Sequence, residues 1–151
     1  GSMASAAGIP FNMDAWDGYP AARERVFKAA LDANANLISL AGDTHNAWAF
    51  DLDHAGEKVG VEFGVQGVTS PGLESYASYL PVDVLERETV AHNRQLKWMD
   101  GSRRGYMAVE LTPASASSEF RFVSSVREKG AGVNDTRRVS TQAGSRALDM
   151  G

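Results

Sequence analysis

The chain contains no cysteine. Disulfides, thiolate metal sites and cysteine nucleophiles are therefore excluded, while the compartment stays open. No apolar run approaches the ~20 residues that cross a bilayer, so no transmembrane segment is expected. A signal-peptide pattern is also missing from the first residues. Positive charge is in short supply: 15 Lys and Arg stand against 19 Asp and Glu, a formal net charge of −4. Nucleic acid and anionic membranes both select basic surfaces, so neither is expected as the main partner. No internal repeat points to a solenoid.

What remains is the composition of one globular domain. Of 151 residues, 43% are hydrophobic and 23% charged, enough to bury a substantial core. Gly1-Ser2-Met3 has the look of a cloning remnant, and residues 1–10 are read as tag and disordered lead-in. Phe11, Met13 and Trp16 are apolar residues able to pack back on the body. Residues 11–126 form that body. Residues 127–151 carry five Lys or Arg, three Asp or Glu and few large apolar side chains. Such a composition buries too little surface to offset ordering entropy, so a flexible tail is expected there.

The body opens with a helix. Pro20 suits a first helical position, and Asp17 just ahead favours the positive helix N-terminus. Tyr19, Val26, Phe27, Ala30 and Leu31 recur at spacings of three and four, which predicts an amphipathic helix of about 14 residues. Leu37 to Ala41 is short and evenly apolar. It reads as a buried strand covered on both faces of a parallel or mixed sheet.

Gly42-Asp43-Thr44-His45 follows at the carboxyl end of that strand, where functional residues of such sheets collect. In an extended segment, residues two apart point to one side. Asp43 and His45 then read either as a turn residue and a solvated histidine, or as a hard carboxylate and a borderline imidazole facing one point, a combination found in metal sites that activate water. Two ligands are fewer than a metal centre takes from its protein. Asn46 either hydrogen-bonds a phosphate oxygen or closes the turn. Trp48 reads as a packing residue.

Asp53-His54-Ala55-Gly56 is a turn between extended segments, with His54 exposed at its tip. Lys58 to Thr69 alternates, with Val59, Val61, Phe63 and Val65 on one face, and this strand is expected to pair with the one before Asp43. Glycines inside it leave room for close backbone approach. Ser70-Pro71-Gly72 suits a helix start, and helical pieces interrupted at Pro81 are expected to about Asn93. Tyr76, Tyr79 and Leu80 read as core residues, with a substrate entrance as the alternative. Leu96 to Asp100 is a short strand. Arg104 to Thr112 and Glu119 to Val126 alternate on either side of a small-residue loop, the pattern of an antiparallel hairpin. The fold class is α/β, a mixed β-sheet with flanking helices.

Several segments recur here in a set order. They are Trp16-Asp17-Gly18-Tyr19-Pro20, Gly42-Asp43-Thr44-His45-Asn46-Ala47-Trp48, Val61-Glu62-Phe63, Val68-Thr69-Ser70-Pro71-Gly72-Leu73-Glu74 and Arg104-Gly105-Tyr106. Together, over roughly residues 11–126, the chain resembles the C-terminal part of PhoD-type alkaline phosphatases, a branch of the calcineurin-like metallophosphoesterases. The resemblance implies about half of an α/β/β/α sandwich and a hydrolase acting on phosphate esters. It also implies Asp43 and His45 as metal ligands, iron and calcium as cofactors, and export of the parent to the periplasm or beyond. The family's first metal-binding segments, an Asp-bearing strand end and an Asn-His loop, have no counterpart here. His92-Asn93 has the reverse order and falls in a helical stretch. The expected partner is thus the missing N-terminal part of the catalytic domain, with the isolated chain inactive.

Two other readings compete. One is an inert α/β fragment or partner-binding module. The other is a nucleotide-binding module, but the segment around Asp43 lacks a glycine-rich phosphate cradle.

Overall fold

A computed structural model describes residues 12–151, so the expected lead-in of residues 1–10 and the packing of Phe11 lie outside it. The elements run α1 (Pro20–Asp32), β1 (Leu37–Ala41), β2 (Ala47–His54), β3 (Glu57–Gly64), α2 (Val82–His92), β4 (Leu96–Asp100), β5 (Gly105–Leu111), β6 (Ser115–Val123) and β7 (Val133–Gln142). Four strands form a mixed sheet in the order β1-β3-β2-β4, and three form an antiparallel sheet in the order β5-β6-β7.

The layers follow from where the apolar side chains point. On one face of the four-stranded sheet, Trp48, Phe50, Leu52, Leu96 and Met99 meet Phe27, Ala30 and Leu31 of α1 and Val90 of α2. On the other, Ala47, Ala49, Val61 and Phe63 meet Ala116, Phe120, Phe122 and Val139 of the second sheet. Small alanines on β2 let the two sheets approach, and Trp98 of β4 packs on Phe120 with ring centroids 4.9 Å apart. The result is three layers, α/β/β, as the α/β reading expected.

Strand β1 pairs in parallel with β3, from Leu37 opposite Gly60 to Ala41 opposite Gly64, as its position before Asp43 implied. Gly60 is required for this contact, since a Cβ there would fall 1.9 Å from the Leu37 carbonyl oxygen. Burial of β1 differs from expectation. With β3 its sole strand partner among the described residues, it is an edge, half-buried, with Leu40 54% exposed.

Strand β2, read from the sequence only as an extended segment ahead of the turn at residues 53–56, is a central strand paired antiparallel with both β3 and β4. The shared face expected for Val59, Val61 and Phe63 is also corrected. Leu52 pairs with Gly60 and Asp53 with Lys58, so Val59 is the extra residue of a bulge. It turns to the helix side while Val61 and Phe63 face the second sheet.

No α-helix begins at Ser70. A single 3-10 turn, Leu73–Ser75, follows Gly72, and the α-helix starts only after Pro81. Tyr76 and Tyr79 are 78% and 81% exposed, so they are not core residues. Met13 and Trp16 are exposed rather than packed back.

The hairpin β5–β6 forms as the alternation predicted, from Gly105 opposite Phe122 to Leu111 opposite Ala116. Its loop is shorter than expected, because residues 115–118 already belong to β6.

The largest correction concerns residues 127–151. Instead of a mobile tail they supply β7, which runs antiparallel to β6 from Val123 opposite Val133 to Ser115 opposite Gln142. Val139 is 1% exposed and Thr141 3%. A strand added to an existing sheet satisfies its backbone through the ladder, so two well-placed inward side chains suffice where composition alone counts too few.

Candidate metal-ligand loop

The loop between β1 and β2 carries Asp43, His45 and Asn46. It is not extended. Asp43 has φ 72° and His45 φ 61°, two non-glycine residues in left-handed conformation separated by one residue. Each such residue costs on the order of 1–3 kcal/mol and persists only where its surroundings impose it, and such residues cluster at functional sites. The alternation argument for a shared direction of Asp43 and His45 therefore does not apply, and the loop's own bends set where they point.

The surroundings that impose the shape are hydrogen bonds from every side. The Thr44 N–H donates to the Gly42 carbonyl at 2.9 Å, and Trp48 Nε1 donates to Thr44 Oγ1 at 2.7 Å. Asn46, 3% exposed, donates from Nδ2 to the Thr44 carbonyl at 2.6 Å. Its Oδ1 accepts from the Leu73 N–H at 2.8 Å. Both ends of the Asn46 amide are thus engaged by backbone, as closure of the turn requires. Trp48 is a packing residue, 7% exposed, as expected.

His45 is half-buried, and its Nδ1 lies 3.0 Å from the Pro71 carbonyl oxygen. Asp43 is exposed beside it in the chain. Among the described residues no group of three or more His, Cys, Asp and Glu side chains is placed to hold a metal.

The facing wall is built from segments to which the sequence assigned no role. Glu74 pairs with Arg104, whose side chain is 14% exposed, and Arg104 also donates to the Ser102 carbonyl. The Glu74 carboxylate accepts from the Gly72 N–H at 3.3 Å. The Gly101 N–H donates to Glu86 at 2.8 Å. Burial pushes the Glu86 carboxyl above its ordinary range, and nearby Asp100 adds to the rise against the Gly101 hydrogen bond. Gln66, 3% exposed, spans to the second sheet by donating to the Arg121 carbonyl at 3.2 Å. Glu74 and Arg104 stood in the ordered segments, whereas Gln66 and Glu86 carried no sequence signal.

A cleft of about 360 Å³ lies at the opposite end of the sheet, lined by Arg23, His54, His92 and Arg94 among others. His54 is half-buried in its wall, not exposed at a loop tip. Because β2 begins beside Asn46 and ends at His54, this cleft is remote from the loop. Asp17, expected to act on the helix terminus, is 7% exposed and pairs with Arg23 at 2.7 Å.

Comparison with known proteins gives three findings. The profile of the PhoD-like phosphatase family matches residues 2–120. Alkaline phosphatase D of Bacillus subtilis (strain 168) is 32% identical over 130 residues, a match covering 82% of this chain and 21% of that protein. A solved structure described as "Structure of PhoD" superposes with a TM-score of 0.79 at 27% identity, covering 98% of this chain and 28% of that one. The chain thus spans about a fifth of the length of the curated relative.

Proposed function

Because the chain belongs to the PhoD-like phosphatase family, we propose that it is the C-terminal part of a metal-dependent alkaline phosphatase of the D type. In this reading it acts on phosphate esters, and Asp43 and His45 are its share of the metal ligands. The observation that carries the reading is the imposed shape of their loop at the carboxyl end of β1, with the Nδ1 of His45 engaged by Pro71 and no hydrogen-bond partner for its Nε2 among the described residues.

The donor types fit a hard-to-borderline cation, and two of them fit part of a site, not a whole one. Iron and calcium are the metals of this reading. Bound metal ions supply Lewis acidity at phosphoryl oxygens and lower the pKa of the attacking water. Asp43 offers a carboxylate oxygen to them and His45 offers Nε2. Asn46 holds the loop. The other ligands, and a strand to cover the half-exposed edge of β1 at Leu40, come from the remainder of the phosphatase, which is the partner this chain needs. Export to the periplasm or beyond belongs to that whole protein.

An inert, partner-binding module is favoured by one observation, the lack of a complete donor set among the described residues. Activity separates the two. The chain joined to the preceding part of a PhoD-type phosphatase and loaded with iron and calcium is expected to release nitrophenol from p-nitrophenyl phosphate. Asp43→Ala and His45→Ala are expected to lower the rate by more than the roughly 10–100-fold that loss of an outer-shell partner costs. Full rates in both variants would support the inert module instead.

A further inference from the structure

We infer that Asn46 and the Glu74–Arg104 pair are positioning groups that fix the tautomer of His45, with the proton on Nδ1 and the lone pair on Nε2. The inference deepens the ligand role proposed for His45, and its first readout does not depend on that role.

A backbone carbonyl can only accept a hydrogen bond. Nδ1 of His45 lies 3.0 Å from the Pro71 carbonyl oxygen, so Nδ1 carries the proton. A neutral imidazole has one N–H, and Nε2 is then the acceptor, able to take a cation or a proton. Free histidine in water favours the opposite tautomer, with the proton on Nε2. Something must therefore hold Pro71 in place against that preference.

The holding groups converge on the next two residues. The Leu73 N–H is held by Asn46 Oδ1 at 2.8 Å and the Gly72 N–H by Glu74 Oε1 at 3.3 Å. The Glu74 N–H in turn donates to the Gly101 carbonyl at 3.3 Å. Arg104, largely buried, anchors the Glu74 carboxylate. Gly72 is closely packed within this frame. A Cβ there would lie 2.6 Å from the Gly101 oxygen, 2.8 Å from Glu74 Oε2 and 2.9 Å from Asn46 Oδ1. The arrangement matches a general pattern in which a ligating histidine donates its other ring N–H to a carbonyl or carboxylate, which fixes ring orientation and basicity.

Long-range proton–nitrogen correlation spectra of the ¹⁵N-labelled chain above the histidine pKa read the tautomer directly. His45 is expected to show the Nδ1–H pattern. His92, whose Nδ1 lies 2.8 Å from the Glu88 carbonyl, provides an internal reference with the same pattern. Asn46→Ala and Arg104→Met are expected to shift His45 toward the Nε2–H form and leave His92 unchanged. Arg104→Lys, which keeps the charge beside Glu74, is expected to restore part of the Nδ1–H signal.

An Nε2–H pattern for His45 in the unaltered chain overturns the inference, and that measurement requires no variant to fold. An unchanged His45 pattern in both disruptive variants overturns the role of the positioning groups. If the Nδ1–H pattern is found but the completed phosphatase binds no metal, the ligand role of His45 fails while the positioning inference stands.

Discussion

The carboxylate of Asp51 and the backbone N–H of Leu148, 97 positions apart in the chain, are joined by a 2.8 Å hydrogen bond. Asp51 is 6% exposed in the central strand β2, and its second oxygen pairs with Lys58, with Lys97 3.8 Å away. The bond fastens the end of the chain across the first sheet. Asp51→Ala leaves the Leu148 N–H without its partner, and a loss of roughly 1–3 kcal/mol is expected from urea unfolding. Amide exchange between residues 139 and 150 should accelerate along with it. Unchanged stability together with unchanged exchange would contradict the fastening role.

Phe120 sits between the two sheets at 0% exposure, its ring in tilted contact with that of Trp98. Phe120→Ala is expected to cost about 3–5 kcal/mol, through lost transfer energy and the cavity left behind. Against a domain stability of roughly 5–15 kcal/mol, that is enough to lower the denaturant midpoint substantially. A midpoint within error of the parent would mean that the sheets do not pack face to face.

The β2–β3 turn places Ala55 at φ 50° and Gly56 at φ 88°. A two-residue hairpin turn of this kind favours Asn or Gly at its first central position. Ala55→Gly is expected to stabilise by about 0.5–1 kcal/mol, raising Tm by roughly 1–4 °C for a chain of this size. A lower Tm would argue for a different turn.

Two carboxylates pull stability in opposite directions with pH. Burial raises the pKa of Asp53, but hydrogen bonds from Arg94 and Gln95 and the charges of Arg94 and Lys58 outweigh it, so the folded pKa lies below the ordinary value. Its contribution is present above about pH 3.9 and is lost as pH falls through the lower, folded pKa. Asp53→Asn should therefore flatten the acid limb of the stability curve.

Glu86 is the reverse case, its folded pKa raised chiefly by burial. The folded state then holds the proton longer than the unfolded one, and stability falls as pH rises from about 4.3 through the folded pKa. Glu86→Gln keeps an acceptor for the Gly101 N–H and loses that dependence. It should be more stable than the parent at neutral pH, with the gap closing toward pH 4. A pH-independent difference would contradict this assignment.

The sequence was most legible where one local pattern sufficed. The spacing from Val26 to Leu31 gave α1, alternation gave the β5–β6 hairpin, and the apolar run after Asn36 gave β1 and its pairing with β3. Where two distant elements decide, local pattern failed. Val59 changes face because a bulge opposite Leu52 and Asp53 reverses its direction, which depends on the partner strand. Strand β7 is ordered by the open edge of β6, a feature of the assembled sheet that composition does not encode.

The site followed the same division. Asp43 and His45 were singled out by residue type and place after a strand, but their left-handed backbone was not legible, because hydrogen bonds from Trp48, from Asn46 within the loop and to the turn near Pro71 brace it. Glu74 and Arg104 stand 30 positions apart. Each looks like an ordinary surface charge until the fold brings them together.

Metal content tests the central claim most directly. Iron and calcium per molecule would be measured by elemental analysis in the completed phosphatase, once with this chain unaltered and once with Asp43→Ala and His45→Ala combined. The account predicts loss of at least one metal ion per molecule in the altered protein. Equal metal content in the two would contradict it.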